Sequence, residues 1–477
     1  MKRYLSPLIL SCLATLAPGA GAADDPGSTA DSATGPRQVI LIIGDGMDEQ
    51  QVTIARNYLK GAAGQLLLDQ MPLRAAAQIL TIEDRENGNP VYVADSANTA
   101  TSIATGVVTS RGRIATTAGS DEPIPTIAQL AAQAGLRTGI VSTASVTDAT
   151  PASFLAHINY RLCENPEIVE EVAYKGIPLG SCKQYLKANG GPGSISEQLA
   201  VSQVDVLLGG GSKHFAPSIE GGSRSVLALA AQNGFQVVET AEELAAAEPG
   251  QRLLGLFSES TMPVRLQGEG GREAESPEPS LLNHVHPYLG SVTLPAPMRC
   301  EPNPAAGSVP TLKAMTDAAL AQLSHDNTRG FFLMIESASI DKQSHERKPC
   351  GSIGELEQLE EALASALAFA EENPQTLVLV TADHSQAAQL IPEESLFASY
   401  PIPLYTPGKL ARIVTPEGST MAVNYATTTF QMEEHTGAAV PLYGNSEAVG
   451  IVPSFVQQPQ LFNIMRDYLG LESTPAE

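Results

Sequence analysis

The feature that most constrains the fold is a series of short, nearly continuous apolar runs. They lie at 38–43 (QVILII), 138–142, 204–208, 235–239, 331–336 and 376–381. An uninterrupted apolar run of this length is typical of a strand that is buried on both faces in a largely parallel sheet. Helical patterns lie between the runs, at 124–133, 308–323 and 355–370. Strands that alternate with helices predict an α/β fold with helices on both faces of the sheet.

The chain of 477 residues is long enough for two or three domains of ordinary size. It nevertheless contains no internal repeat and no stretch that has the composition of a linker. Residues 188–300 are rich in glycine and include an acidic loop, but they keep strand-like runs. We therefore predict one catalytic domain over 37–477, with insertions around 188–300, preceded by a flexible tail at 23–36.

The N-terminus has the pattern of a signal peptide over residues 1–22. Lys2 and Arg3 precede an apolar stretch from Leu5 to Leu16, and Ala20-Gly21-Ala22 resembles a cleavage site. Acylation of Cys12 as a lipoprotein is the weaker alternative, because the apolar run before it is short. No other apolar stretch is long enough to span a bilayer. The sequence predicts a soluble protein that is exported to the periplasm or secreted.

Cleavage there removes Cys12 and leaves four cysteines, Cys163, Cys182, Cys300 and Cys350. An even number of cysteines in an exported chain predicts disulfides. Of the three possible pairings, the local one (Cys163–Cys182 and Cys300–Cys350) is the simplest. A cysteine-ligated zinc is the alternative, and it is disfavoured because no pair has the C-x-x-C spacing common in such sites.

The net charge of −24 limits the partners of the protein. Nucleic acids and anionic membrane surfaces both attract Lys and Arg, so neither is expected to bind this chain. An acidic surface keeps a protein soluble by mutual repulsion, and it also suits a salty medium that screens that repulsion. The composition leaves ordinary acidic solvation and halophilic adaptation open.

Carboxylate and imidazole side chains follow three of the predicted strands. In open α/β sheets the active-site and ligand-binding residues lie beyond the carboxyl ends of the strands. Each residue alone has an ordinary explanation, such as a turn, a surface ion pair or a structural histidine. Together they predict a metal site, because these ligands suit Zn²⁺ and the carboxylates also suit Mg²⁺. The residues are Asp45, Glu336, Asp341, His345, Asp383, His384 and, further along, His435.

A second candidate element is the segment 93–101, in which small residues follow a short apolar run. Ser96 lies there at a predicted helix start, where free N–H groups and the helix dipole favour an anion. A nearby metal would favour its alkoxide form as a nucleophile. The alternative is that Asp95 or Ser96 simply caps the helix.

Six motifs occur in a specific order along the chain. They are Gly-Asp-Gly-Met, Asp-Ser-Ala, Asp-Ala-Thr-Pro-Ala, Ile-Glu-Ser-Ala-Ser-Ile-Asp-Lys-Gln-Ser-His, Thr-Ala-Asp-His and Glu-Glu-His-Thr-Gly. With them the chain resembles the alkaline phosphatases, specifically the bacterial periplasmic type, over about 37–469. The resemblance implies a three-layer α/β sandwich with a large, mostly parallel central sheet, and a homodimer.

The resemblance also implies a phosphomonoester hydrolase of broad specificity. It would act at alkaline pH through a phosphoserine, with two Zn²⁺ and one Mg²⁺, and release inorganic phosphate and an alcohol. Ser96 would be the nucleophile, Arg161 would grip two phosphate oxygens, and Asp95 would hold Arg161. The implied metal-site residues are Asp341, His345 and His435 for the first zinc, Asp45, Asp383 and His384 for the second, Asp45, Thr150 and Glu336 for magnesium, and Asp148 and Lys342 acting through water. The local cysteine pairing also resembles the bridges of this family.

The chain departs from the family pattern at a few positions. Asp48 stands where Gly is common, Asn98-Thr99 where Ala-Ser is common, and Ser337 where Gly is usual. These changes bear on local backbone fit, metal affinity and substrate preference more than on the reaction.

Three other functions compete with this one. A phosphodiesterase or nucleotide pyrophosphatase of the same superfamily would lack the third metal site, so Thr150 and Glu336 favour a monoesterase. A sulfatase would need a Cys/Ser-x-Pro-x-Arg segment, which is not found near Ser96. A non-catalytic protein that binds metal or phosphate would be favoured by the loss of Ser96 or of a zinc ligand, and all of these are present.

Overall fold

The computed structural model describes residues 35–174, 177–286, 288–393 and 407–472. The predicted signal peptide (1–22) and nearly all of the predicted tail (23–36) lie outside the described residues. The α-helices are α1 (Glu49–Lys60), α2 (Leu67–Gln70), α3 (Ser96–Thr105), α4 (Ile127–Gln133), α5 (Ala149–Ala152), α6 (Ile195–Val201), α7 (Ser212–Phe215), α8 (Val226–Gln232), α9 (Ala241–Ala245), α10 (Leu281–Val285), α11 (Leu312–Ser324), α12 (Ser339–His345), α13 (Pro349–Glu372) and α14 (Gln460–Leu469).

The strands are β1 (Arg37–Gly44), β2 (Leu73–Gln78), β3 (Thr81–Ile82), β4 (Pro90–Val91), β5 (Arg137–Ser145), β6 (Val172–Tyr174), β7 (Ile177–Gly180), β8 (Val206–Gly210), β9 (Phe235–Val238), β10 (Arg252–Leu256), β11 (Leu266–Gly268), β12 (Glu278–Pro279), β13 (Val292–Thr293), β14 (Cys300–Pro302), β15 (Gly330–Ser337), β16 (Thr376–Thr381), β17 (Gln389–Ile391), β18 (Lys409–Val414), β19 (Thr420–Tyr425), β20 (Val440–Gly444) and β21 (Phe455–Gln457).

Ten of these strands form one central sheet, in the order β21-β2-β20-β16-β1-β15-β5-β8-β10-β9. The neighbours from β16 to β9 pair in parallel, whereas β20 pairs antiparallel with both β16 and β2. A mostly parallel sheet flanked by helices confirms the predicted fold class, an α/β three-layer sandwich.

The strands at the centre of the sheet are those with the strongest apolar runs. In β1, Val39–Ile43 have no exposed surface, and Ile42 lies opposite Ile335 of β15 on one side and Val380 of β16 on the other. Such residues are shielded by sheet neighbours on both edges and by helices on both faces, which is why the run is continuous and does not alternate.

Two groups of helices cover the sheet. The helices α1, α11 and α13 pack together over one face, while α3, α4 and α14 form the other group. The side chains of α13 are consistent with this packing, since Leu356, Leu359 and Leu363 are fully buried. No helix in the described ranges is both long enough and apolar enough to cross a bilayer.

The segment around 188–300 contributes to the central sheet as well as to surface insertions. Its strands β8, β10 and β9 extend the sheet beyond β5. The short pairs β11·β14 and β12·β13 lie outside the central sheet. The described residues from Gly35 onward make up one compact unit.

Candidate active site

Four adjacent strands bring most of the predicted residues to one edge of the sheet. Asp45 directly follows β1, Asp383 follows β16, and Glu336 lies at the end of β15. Asp148 and Thr150 follow β5, the neighbour of β15. Because these strands are parallel, their carboxyl ends open on the same side, and their polar side chains meet there.

The first ligand cluster consists of Asp45, Asp383 and His384, which are almost completely buried. The Nε2 atom of His384 lies 3.3 Å from Oδ1 of Asp45 and 3.4 Å from Oδ2 of Asp383. These two carboxylate oxygens are buried and have no hydrogen-bond donor among the described residues. Burial of a carboxylate oxygen without a hydrogen-bond donor costs free energy unless a cation is bound to it. The cluster therefore fits a metal ion.

The backbone of this cluster is held by a close approach at Gly46. Its N–H donates to Oδ1 of Asp383 at 3.1 Å, and the N–H of His384 donates to the same oxygen at 2.9 Å. Gly46 has a φ of +69°, and an added Cβ would lie 2.8 Å from Cγ of Gln386. Glycine is therefore required between the two segments.

The second ligand cluster consists of Asp341, His345 and His435. Asp341 and His345 lie four residues apart on α12, so both project from one face of that helix. The Asp341 carboxylate lies 3.3 Å from Nε2 of each histidine, and the two Nε2 atoms are 3.0 Å apart. His435 also stacks on His384, with ring centroids 3.7 Å apart, so the two clusters adjoin.

The histidines of the second cluster are oriented through their other ring nitrogens. Nδ1 of His345 contacts the carbonyl oxygen of Glu433, and Nδ1 of His435 contacts that of Ala94. A ring whose Nδ1–H donates to a carbonyl presents an unprotonated Nε2 in its neutral form, which is the usual arrangement of a metal ligand. Imidazole and carboxylate are the ligands that zinc prefers in such sites.

The site contains an excess of buried carboxyl groups, which repel one another when they are ionised. Burial raises the pKa of Asp45 well above its usual value, and repulsion from Asp383, Asp341 and Glu336 adds to this effect. Burial would also raise the pKa of Asp341, but His345 and His435 outweigh it and hold the pKa well below its usual range. Cations would relieve the repulsion among these carboxylates.

A further polar group lies between the ends of β5 and β15. The Glu336 carboxylate accepts a hydrogen bond from the hydroxyl of Ser142, and burial raises its pKa to about 7. The buried Thr150 hydroxyl has no hydrogen-bond partner among the described residues. It lies near Glu336, where it offsets a small part of the rise that burial causes in the pKa of that carboxyl. Next to them, Asp148 forms an ion pair with Lys342. Oxygen ligands of this kind suit magnesium.

Ser96 is the first residue of α3, and Asp95 is the N-cap. The Asp95 side chain accepts from the N–H of Asn98 at 3.1 Å, and the Asn98 side chain accepts from the N–H of Asp95 at 2.9 Å. This capping box shows that Asp95, and not Ser96, caps the helix. Because Asp95 caps the helix, the Ser96 hydroxyl is not used as a cap, and its Oγ lies 3.1 Å from Nε2 of His384.

Arg161 lies beside Ser96 and is held by two carboxylates. Its Nη2 donates to Asp148 at 2.9 Å and its Nη1 to Asp95 at 3.4 Å. Ser96 and Arg161 line one cavity of about 460 Å³ together with Asp341, Lys342, His345 and His435. The structure thus brings together the residues for which the sequence predicted roles in catalysis and metal binding.

As expected, the structure pairs the four cysteines that lie among the described residues. Cys163–Cys182 and Cys300–Cys350 form disulfides, with Cα atoms 6.5 and 5.4 Å apart. The local pairing is confirmed, and the alternative of a cysteine-ligated zinc is excluded because no thiol of these residues is free. The first bridge lies two residues from Arg161.

Several side chains of the site were not singled out from the sequence. The Gln386 amide donates to the Asp341 carboxylate, and Arg111 lines the cavity. The guanidinium of Arg347 is buried and donates to Glu433 at 2.6 Å, which secures the segment whose carbonyl contacts His345. Two signals were available: Arg347 closely follows His345, and Glu433 belongs to the Glu-Glu-His-Thr-Gly motif.

Comparison with known proteins agrees with this geometry. Residues 36–401 match the family model "Alkaline phosphatase". The chain is 39% identical over 460 residues to streptomycin-6-phosphate phosphatase of Streptomyces griseus, covering 93% of each protein. It is 37% identical over 444 residues to alkaline phosphatase of Escherichia coli K12, covering 91% of this chain and 86% of that protein.

Solved structures agree on the fold. A variant of the TAB5 alkaline phosphatase with Mg bound in its M3 site superposes with a TM-score of 0.60 at 21% identity, covering 92% of this chain and 99% of that one. TAB5 is an Antarctic bacterium. The match to the family model over residues 36–401 and the identities of 37–39% to the two curated phosphatases show that the chain is an enzyme of the alkaline phosphatase family.

Proposed function

We propose that this protein is an exported phosphomonoester hydrolase that works through a phosphoserine at Ser96. The observation that carries the proposal is the position of the Ser96 hydroxyl. It lies in one cavity with Arg161 and adjoins both ligand clusters, 3.1 Å from Nε2 of His384. A nucleophile, a cation and ligands for metals thus surround the space that a phosphate group would fill.

The metals we propose are two zinc ions and one magnesium ion. The second ligand cluster (Asp341, His345 and His435) would hold one zinc ion. The first ligand cluster (Asp45, Asp383 and His384) would hold the other. The unpartnered oxygens of Asp45 and Asp383 support this assignment. When bound, a pair of zinc ions stabilises negative charge on the attacking and leaving oxygens of an in-line displacement.

The magnesium ion would be held by Asp45, Thr150 and Glu336. The buried hydroxyl of Thr150 and the buried carboxyl of Glu336 supply hard oxygen ligands. The magnesium bound in the TAB5 variant supports a magnesium site in this family. Asp148 and Lys342 lie beside these residues as an ion pair, and we propose that they act on the ion through water.

Arg161 is suited to hold the phosphate group. Its planar guanidinium can donate two parallel hydrogen bonds to two phosphate oxygens, which a lysine cannot do. Asp148 and Asp95 contact its two Nη atoms, and its backbone N–H donates to the Gly112 carbonyl at 2.7 Å. These contacts orient the side chain before substrate binds, so little of its mobility remains to be lost.

The reaction follows from these positions. Oγ of Ser96 forms a bond to phosphorus as the ester P–O bond breaks, and the serine gives its hydroxyl proton to solvent water. The leaving oxygen takes up a proton from water and departs as the alcohol, and the phosphate stays on Ser96. In the second half, water attacks phosphorus and loses a proton, the Ser96–phosphate bond breaks, Oγ of Ser96 regains a proton, and inorganic phosphate is released. Ser96 is the first residue of α3, and the dipole at a helix start favours negative charge there.

Phosphate monoesters are the substrate class that this site fits best. Two metal ions and a bidentate arginine together bind several phosphate oxygens that carry no substituent. A monoester has three such oxygens and a diester has only two. The roles proposed for the metals and for Arg161 all concern the phosphate group and none concerns the alcohol, so we expect broad specificity among alcohols. The name of the Streptomyces griseus relative is that of a phosphatase of one specific monoester, which supports the same class.

Export and dimerisation are also part of the proposal. Two disulfides are unusual in a reducing cytosol, so they support an oxidising destination such as the periplasm or the medium. The homodimer is an expectation from the family.

The proposed function is tested with an aryl phosphate and an aryl phosphodiester as substrates. The enzyme should hydrolyse the monoester much faster, and chelation should abolish this activity until zinc and magnesium are returned. Faster hydrolysis of the diester would favour the phosphodiesterase alternative. No hydrolysis of either ester by the metal-loaded protein would favour a binding protein.

A further inference from the structure

Asp48 uses both of its carboxylate oxygens to join two segments of the active site. Its Oδ1 accepts from the N–H groups of Gln50 and Gln51, at 2.9 and 3.0 Å, which caps α1. Its Oδ2 accepts from the N–H of Gln386 at 3.3 Å, on the segment that follows β16. The side chain is only 6% exposed.

The two segments that Asp48 joins carry the three ligands of one proposed zinc ion. Asp45 lies three residues before Asp48, whereas Asp383 and His384 precede Gln386 by three and two residues. The strands β1 and β16 place these residues side by side, but the strands end before the ligands begin. Beyond that point, the relative position of the segments depends on loop contacts such as these.

The carboxylate of Asp48 has no ion-pair partner in the described part of the chain. Its charge is stabilised by the three backbone N–H groups. A helix cap alone needs one oxygen, which Ser, Thr or Asn supplies equally well. The second oxygen is therefore the feature that a capping role does not explain.

We propose that Asp48 is a positioning residue of the metal site, which fixes the segment bearing Asp383 and His384 against the segment bearing Asp45. The proposal rests on the proposed zinc site at these three residues. Asp48 acts through the backbone of Gln386 and touches neither substrate nor ligand. In this chain it takes a position at which the resembling family commonly has glycine, which can form no such bridge.

The test uses variants that keep the helix cap but lose the bridge. Asp48→Asn has a single acceptor oxygen, so it can serve the N–H groups of α1 or that of Gln386, but not both. Asp48→Ser caps α1 and is too short to reach Gln386. Ser225→Ala is the control for a general loss of stability. It removes the cap that Ser225 gives α8 through the N–H of Ala228 at 3.1 Å, and α8 contributes no residue to the ligand clusters or to the cavity.

The measurement is the rate at which zinc leaves the full-length, zinc-loaded protein in excess chelator, together with kcat and KM for an aryl phosphate. We expect Asp48→Asn and Asp48→Ser to release zinc about 10-fold faster than wild type. Loss of a group bonded directly to a ligand costs about 10- to 100-fold in metal affinity, and Asp48 is one step further from the ligands. Excess zinc should restore kcat, and the melting temperature of the metal-free variants should stay near that of Ser225→Ala. The Asp48→Ser comparison applies even where Asp48→Asn folds poorly.

The possible outcomes distinguish an error in the positioning role of Asp48 from an error in the proposed zinc site. If wild type holds zinc and both Asp48 variants release it at the wild-type rate, the positioning role is wrong and the proposed function stands. If Ser225→Ala accelerates zinc release equally, the effect is one of general stability and the role is again wrong. A wild-type protein that binds no zinc would overturn the proposed metal site and this inference with it.

Discussion

The Nε2 atoms of His345 and His435 lie 3.0 Å apart, while the Nδ1 atom of each ring contacts a backbone carbonyl oxygen. In the neutral rings, two lone pairs therefore point toward the same small volume. They repel each other unless a cation or a proton lies between or beside them. This relationship, next to the buried Asp341 carboxylate, is the strongest geometric argument for a metal at this position.

Removal of metal should therefore destabilise the protein. An ion held at 100 to 1,000 times its dissociation constant stabilises the folded state by about 3–4 kcal/mol, so chelation should lower the melting temperature by several degrees. Calorimetry with and without EDTA measures the change. The His435→Ala variant, which has lost one ligand, should show a smaller decrease. Identical melting temperatures of wild type in both conditions would argue against bound metal.

Arg161→Ala should impair monoester hydrolysis much more than diester hydrolysis. Loss of a bidentate, charge-assisted pair costs about 2–4 kcal/mol, or roughly 30- to 1,000-fold in kcat/KM, whereas a surface ion pair contributes only about 0–1 kcal/mol. Zinc should stay bound, because Arg161 is no ligand. Arg111→Ala is the matched control, since Arg111 lines the same cavity but directs its Nε to the Val93 carbonyl. A uniform loss for both substrates would mean that another cation holds the phosphate.

His157 should make the stability of the protein depend on pH. Burial lowers its pKa below the ordinary value of 6.5, and its Nδ1 contacts the carbonyl oxygen of Ala115 at 2.9 Å. Below pH 6.5 the unfolded chain binds a proton at this histidine that the folded chain does not, so stability decreases as the pH falls through this range.

The His157→Asn variant isolates this contribution. Asparagine does not titrate and can donate its amide to Ala115, so wild type should lose stability relative to the variant between pH 7 and pH 5. Urea unfolding at several pH values measures the difference. His325→Asn, at an exposed histidine, is the control. Unfolding free energies of wild type and His157→Asn that stay parallel over this range would show that His157 does not titrate differently on unfolding.

The two disulfides should stabilise the protein by different amounts. In the chain-entropy model, a loop of about 20 residues contributes about 3 kcal/mol and one of about 50 residues about 4 kcal/mol. Replacing Cys163 and Cys182 with serine should also raise KM, because that bridge lies near Arg161. Replacing Cys300 and Cys350 should affect stability only. Thiol titration of the unfolded, unreduced mature protein should detect no thiol, and four free thiols would contradict the pairing.

The central strands could be predicted from sequence because burial leaves a direct mark on composition. The runs at 38–43, 331–336 and 376–381 lie within a residue or two of β1, β15 and β16. The strands β2 and β21, at the opposite edge of the sheet from β9, were not predicted because they lack a long apolar run. β2 is LRAAAQ, with small, half-exposed side chains, and β21 has only three residues. β10 (RLLGL) was missed although it is mostly buried, because glycine interrupts its short apolar run.

The candidate site was predictable to the extent that its residues lie in local motifs. Asp45, Asp341 and His384 belong to such motifs, so their types and order were informative. Asp48 and Gln386 were not predictable in the same way, because their contacts join segments that are over 300 residues apart. The role of a hydrogen bond between two distant segments depends on their packing, and a single sequence does not contain that packing explicitly.

The central claim is that Ser96 carries the phosphate during turnover. Incubation with labelled inorganic phosphate, followed by quenching in acid and peptide mapping, tests it most directly. The account predicts one phosphorylated serine in the wild type, at Ser96, and no label in Ser96→Ala, which should keep its metals because the hydroxyl is at most one ligand among several. Equal labelling of wild type and Ser96→Ala, or a label on another residue, would contradict the account.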